Sequence, residues 1–141
     1  MKKHIQIIKI PFLLFLIFII SVSLSCKKKK DAHIPPDVAF TTGTGYLSSD
    51  AAAGRSDSLK VGITATKTED DLKSYNVSYA YDGAGTTTTF FNYYLSASEY
   101  QSYSKDIGIV TRNQAGSEKW IFSIVDRDGN ITQKTIVLTV N

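Results

Sequence analysis

Apolar and polar residues alternate strictly through four stretches of this chain. Leu59, Val61, Ile63 and Ala65 fall on one side of an extended backbone, with Lys60, Gly62, Thr64 and Thr66 on the other. Tyr75, Val77, Tyr79 and Tyr81 alternate with Ser74, Asn76, Ser78 and Ala80. Trp120, Phe122 and Ile124 alternate with Ile121, Ser123 and Val125, and Ile136, Leu138 and Val140 with Thr135, Val137 and Thr139. A period of two is the mark of strands with one buried face. Shorter strands are predicted from Phe40, over 86–95 and over 107–111. Turn signals separate them: Gly43-Thr44-Gly45, Ala53-Gly54, Asp82-Gly83-Ala84-Gly85, Gln114-Ala115-Gly116 and Asp128-Gly129-Asn130. Ser96-Ala97-Ser98-Glu99 has capping-box spacing and predicts one helical turn, with Tyr100 and Tyr103 on a shared face. About seven short strands so punctuated predict an all-β chain with a single β-sandwich over 38–141.

The first 25 residues follow another pattern. Lys2, Lys3 and Lys9 precede nine consecutive apolar residues, Phe12 to Ile20, and Ser21 to Ser25 turn small and polar. That is a signal peptide's basic, apolar and cleavage regions. The uncharged run from Ile10 to Ser25 is sixteen residues and contains Pro11, short of the roughly 20 apolar residues a bilayer core needs. Cys26 ends the segment and is the only cysteine, so it has no intramolecular disulfide partner. Residues 26–37 then read as a tether, with Lys27 to Lys30 and Pro35-Pro36 favouring extended chain.

Ser23-Leu24-Ser25-Cys26 resembles the lipobox of bacterial lipoproteins, with Ser23 where that family usually has a large aliphatic residue. The resemblance implies cleavage before Cys26, its acylation, and anchorage by lipid. Lys27, rather than Asp, after the cysteine implies the outer membrane; whether the domain faces the periplasm or the cell surface stays open.

Charge adds an exclusion. Of 16 basic side chains, three leave with the signal peptide, and 13 remain against 13 acidic ones. From Asp37 onward there are 9 basic and 12 acidic residues. The apparent basicity belongs to signal and tether, whereas nucleic-acid binding needs a basic stripe on the folded domain. Catalytic types are scarce as well. His4 and His33 are the only histidines, so His-based triads, Cys–His pairs and common zinc sites have no residues in the domain. Glu69, Asp70, Asp71 and Glu118 are the only carboxylates that suggest a pair, and the first three read as a solvated turn.

Ala115-Gly116-Ser117-Glu118-Lys119-Trp120 through Asp126-Arg127-Asp128-Gly129-Asn130, closing in Ile136-Val137-Leu138-Thr139-Val140, resembles the last hairpin of bacterial immunoglobulin-like and PKD-type domains. This resemblance implies an Ig-like sandwich and leaves function open, because such domains serve as spacers, adhesin modules and glycan binders alike.

Three candidate sites remain. Phe90-Phe91-Asn92-Tyr93-Tyr94, with Tyr100 and Tyr103, is unusually aromatic. In a regular strand Phe90 and Tyr94 face one way and Phe91 and Tyr93 the other. Phe91, Tyr93, Tyr100 and Tyr103 are therefore candidates for stacking on a sugar or anchoring a protein, against the alternative that the 96–104 segment covers the strand. Asp57-Ser58-Leu59 resembles an O-glycosylation sequon of exported proteins, with Ser58 as the acceptor. Asp126, Asp128 and Asn130 resemble half of a calcium loop, but the downstream acid is missing, so a hairpin turn is expected and no metal or cofactor. The expectation is a non-enzymatic, membrane-anchored envelope lipoprotein whose Ig-like domain supports or binds a protein. The alternative is a carbohydrate-binding module of a surface glycan-uptake or adhesion system.

Overall fold

The computed structural model describes residues 33–141. The signal peptide, Cys26 and Lys27 to Lys30 lie outside the described residues. Eight strands and one 3-10 turn follow in order: β1 Asp37–Phe40, β2 Ala51–Ala53, β3 Ser58–Thr66, β4 Leu72–Tyr81, β5 Thr88–Tyr94, the turn Ala97–Glu99, β6 Ser102–Val110, β7 Gly116–Asp126 and β8 Ile131–Val140. They form a three-stranded sheet, β1-β3-β6, and a five-stranded sheet, β2-β8-β7-β4-β5. The two sheets face each other as an Ig-like β-sandwich.

Each strong alternation became a strand with its apolar side inward. Val61, Ile63, Ile107 and Ile109 of the small sheet meet Tyr75, Val77, Phe122, Ile124, Ile136 and Leu138 of the large one, all buried. Fully burying one such aliphatic or aromatic side chain contributes about 1.5–3 kcal/mol. Phe40 closes the seam edge-on against Phe122, with centroids 5.4 Å apart.

β2 occupies positions expected to lead into a turn. Its three alanines carry no alternation, and it pairs in parallel with β8, Ala51 to Leu138 and Ala53 to Val140. Side chains lock it there: Asp50 accepts the Val137 N–H at 2.8 Å, and Arg55 donates to the Asn141 carbonyl at 3.2 Å. Between β1 and β2 the chain returns to the small sheet. Its outer face carries Gly62 because the ring of Tyr46 and the side chain of Thr41 lie over that position; a Cβ there would sit 2.8 Å from Tyr46 Cε1 and 2.6 Å from Thr41 Oγ1. The Tyr46 hydroxyl donates to Asp106 at 2.8 Å, and Lys60 Nζ stands 4.0 Å from its ring centroid.

The end of the expected tether is part of the folded body. Pro36 is buried, Thr132 donates to its carbonyl, and Thr68 donates to the carbonyls of Ile34 and Pro35. His33 Nδ1 lies 3.0 Å from Asp128 Oδ2.

Candidate functional site

β5 and β6 are terminal strands of their sheets, and they meet across one open margin of the sandwich. β5 has one irregularity. Val77 pairs with Phe91 but Ser78 pairs with Thr89, so Phe90 is an extra residue, a β-bulge. The bulge turns Phe90 inward, where its ring packs edge-on against Trp120 with centroids 5.2 Å apart. The simple alternation that placed Phe90 with Tyr94 is thereby corrected. Phe90, Phe91 and Tyr93 all lie on the inner side of β5, and Tyr94 alone of the four faces outward.

β5 reaches beyond the cover that β6 supplies, so these aromatics form a ledge. Phe90 is 48% exposed, Tyr93 37% exposed, and Phe91 half-buried. Tyr93 stacks on Phe91 with centroids at 6.3 Å and on Tyr103 at 5.9 Å. Its hydroxyl donates to Glu99 at 3.1 Å, a bond that raises the Tyr93 pKa. Glu99 is held by the capping box: it accepts the Ser96 N–H at 2.8 Å and the Ser96 hydroxyl at 2.7 Å, which keeps its carboxyl below the usual range. On the opposite side, Lys105 occupies an inward position of β6, opposite Ile63, and its ammonium reaches to 5.9 Å from the Phe91 centroid. The ledge is an apolar strip with a cation at one flank and an anion at the other. The bulge in β5 and the inward lysine in β6 both disfavour addition of another strand.

Two candidate residues do not belong to the exposed strip. Tyr103 is buried, stacked against Tyr75 and Tyr93, and burial pushes its hydroxyl up to about 12. Tyr100 shares no helical face with it, because the turn ends at Glu99 and β6 begins at Ser102. The Tyr100 ring is instead covered by the Arg127 guanidinium at 4.0 Å.

Two of the carboxylates singled out in the sequence, Glu118 and Asp71, are engaged in structural contacts, as is Asp82. Glu118 is completely buried; it accepts the Arg112 N–H at 2.8 Å and the Trp120 indole N–H at 3.1 Å. The Arg112 guanidinium grips Asp82 with two nitrogens and lies 4.7 Å from the Tyr81 centroid. That grip holds the Asp82 carboxyl below its ordinary range. Asp71 accepts from Lys67 and Gln101, both at 2.9 Å, which lowers its pKa likewise.

The Asp126–Asn130 stretch is held by its own side chains in the same way. Asp126 spends both carboxylate oxygens on Asn130, accepting its backbone N–H at 2.8 Å and its amide at 2.9 Å, while Asp128 faces His33. Gly129, at φ +91°, completes a hairpin turn. Among the described residues no group of three or more His, Cys, Asp or Glu side chains could hold a metal ion. Ser58 opens β3 and is exposed, and Asp57 beside it accepts the Gly54 N–H at the preceding turn. No described helix is long and apolar enough to cross a membrane.

No protein-family model matches the chain, and no curated protein matches it. Among solved structures the chain is similar to a chitin-binding domain from Burkholderia pseudomallei, at 10% identity and a TM-score of 0.51, over 67% of this chain and 58% of that one. It therefore spans little more than half of that structure. Murine CRIg aligns at 13% identity and a TM-score of 0.39, over 75% of this chain and 98% of that one. A non-cellulosomal cohesin from the archaeon Archaeoglobus fulgidus aligns at 12% identity and a TM-score of 0.38, over 77% and 92%. At such identities the likeness concerns the fold alone. The class defined here is an Ig-like β-sandwich domain.

Proposed function

We propose that this chain is a lipid-anchored, non-enzymatic binding domain of the bacterial cell envelope. Cys26 carries the lipid, the outer membrane is the anchor site, and the aromatic ledge of β5 meets a protein partner. The carrying observation is the ledge, where Phe90 and Tyr93 stay 48% and 37% exposed on the inner side of a strand. Large aromatics left at a margin between Lys105 and Glu99 suit a partner that buries an apolar side chain and pairs its own charges at the rim. A carbohydrate reading of the same ledge has less support. Tyr93 stacks on two neighbouring rings and Tyr103 is buried, so little free ring face remains for a sugar. A non-enzymatic role is supported by the carboxylates, since Glu118, Asp71 and Asp82 are all engaged in structural pairs.

Two experiments test this reading. Growth with an alkynyl fatty acid should label the wild-type chain in the outer-membrane fraction and leave Cys26→Ala unlabelled; a labelled Cys26→Ala chain would remove the anchor. Reversible cross-linking in intact cells should give one defined adduct with the wild-type chain, absent from a Phe90→Ser/Tyr93→Ser variant that retains its fold. An adduct that survives the double substitution would place the contact elsewhere.

A further inference from the structure

The outer face of the five-stranded sheet carries a second surface, distinct from the ledge. One level of this face runs straight across four strands. The register places Asn92 of β5 beside Asn76 of β4, Asn76 beside Ser123 of β7, and Ser123 beside Gln133 of β8. At a strand spacing of about 4.8 Å, this row of amides and hydroxyl spans roughly 14 Å. The levels on either side, from Tyr94 to Ile131 and from Thr89 to Thr135, contain no Asp, Glu, Lys or Arg. The nearest charges are Lys119, one level further along β7 beside Ala80 and Val137, and Lys73, which precedes Ser74 on β4.

The row is partly pre-oriented. Gln133 donates its amide N–H to the Ser123 hydroxyl at 2.9 Å; Ser123 is buried, so at this end of the row the exposed group is the Gln133 amide, its carbonyl left free. Asn76 donates to the Phe91 carbonyl at 3.2 Å and keeps its own side-chain carbonyl free. Asn92 is exposed, and its amide makes no hydrogen bond within the described residues. At the β5 end of the face stands Tyr94, 70% exposed, whose ring contacts no other ring. It is the one aromatic of the 90–94 run with its ring face open.

We propose that this face binds a neutral, hydroxyl-rich polysaccharide laid across the strands. Sugar hydroxyls both donate and accept, as amides and hydroxyls do, so a mixed row satisfies them without a formal charge. Three successive uncharged levels complement an uncharged ligand: within them a phosphate or carboxylate polymer meets no cation and a basic protein no anion, Lys119 lying one level beyond. A row of roughly 14 Å is longer than one sugar ring, which fits a chain rather than a monosaccharide. Tyr94 supplies the flat apolar surface on which the C–H face of a ring packs.

The test uses full-length protein in a zwitterionic, sugar-free detergent. Its migration is measured in native gels cast with a neutral β-glucan, a neutral mannan, or the acidic polygalacturonate. At least one neutral gel should retard the wild-type chain, and the acidic gel should not. Tyr94→Ala should weaken the retardation constant about tenfold, the equivalent of 1.4 kcal/mol, and Asn92→Asp should weaken it too by placing a charge in the row. Val110→Ser, an exposed change at the end of β6, should leave it unaltered. Trp120 fluorescence checks that each variant is folded. The proposal is overturned if neither neutral polysaccharide retards the protein, if polygalacturonate does so equally, or if retardation survives both Tyr94→Ala and Asn92→Asp.

Discussion

Glu118→Ala separates a structural carboxylate from a catalytic one. Glu118 is 0% exposed and accepts two hydrogen bonds, from the Arg112 backbone at 2.8 Å and the Trp120 indole at 3.1 Å, with Arg112 Nε a further 3.9 Å away. Alanine leaves both N–H donors buried without a partner, at a cost of about 1–3 kcal/mol each. Removing one member of a buried charged network costs about 3–5 kcal/mol. Taking about 3 kcal/mol, and a Tm shift of about 4 °C or more per kcal/mol for a domain near this size, Tm should fall by roughly 12 °C or more. Glu118→Gln should recover only part of the loss, because one end of its amide is a donor facing a donor. Trp120 is the only tryptophan, so urea and thermal unfolding followed by its fluorescence report from the site itself. A fall of Tm by less than about 3 °C for Glu118→Ala would refute the reasoning and return this carboxylate to the list of candidate catalytic groups.

Other consequences follow from single contacts. Gly62→Ala should cost about 1–3 kcal/mol through overpacking and should displace Tyr46, seen by NMR as loss of the Tyr46–Asp106 contact; unchanged stability with that contact intact would contradict the packing. Asp126→Ala should destabilise the β7–β8 hairpin by about 1–3 kcal/mol, while millimolar calcium leaves the wild-type Tm unchanged; a calcium-dependent rise in Tm would revive the loop as a metal site. On the alkaline side, burial raises the Tyr75 hydroxyl and pushes Tyr103 up to about 12, against about 10 in an unfolded chain. Their contribution is intact below pH about 10 and is lost as pH climbs toward 12, so circular dichroism should show alkaline unfolding that Tyr75→Phe and Tyr103→Phe delay. On the acid side, Glu99, Asp82 and Asp71 are all held low, so the stability they contribute is present above about pH 4 and is lost as pH falls through their depressed values.

The strands that carry the core were legible because burial on one face writes period two into the sequence, as in β3, β4, β7 and β8. β2 was not legible, since three alanines show no alternation and are held by backbone pairing with β8. The first half of β6 was hidden for a related reason. Only Tyr103 points inward as an apolar residue there, and Lys105 takes the next inward position. The aromatic run was visible as a candidate, but its division between faces was not. That division depends on the bulge at Phe90, which is set by pairing with β4 rather than by the residues of β5. Tyr94, the residue left with an open ring face, could not be told from Phe90 for the same reason. The docking of residues 33–36 leaves no periodic trace either, because it rests on carbonyls of the tether accepting from Thr68 and Thr132.

The most direct test of the ledge as the binding surface is site-specific photocross-linking in intact cells. A photoreactive phenylalanine analogue replaces Phe90 at the open margin or, separately, Thr64 on the outer face of the small sheet. The account predicts a discrete protein adduct from position 90 and none from position 64. Equal cross-linking from both positions, or an adduct from position 64 alone, would contradict it.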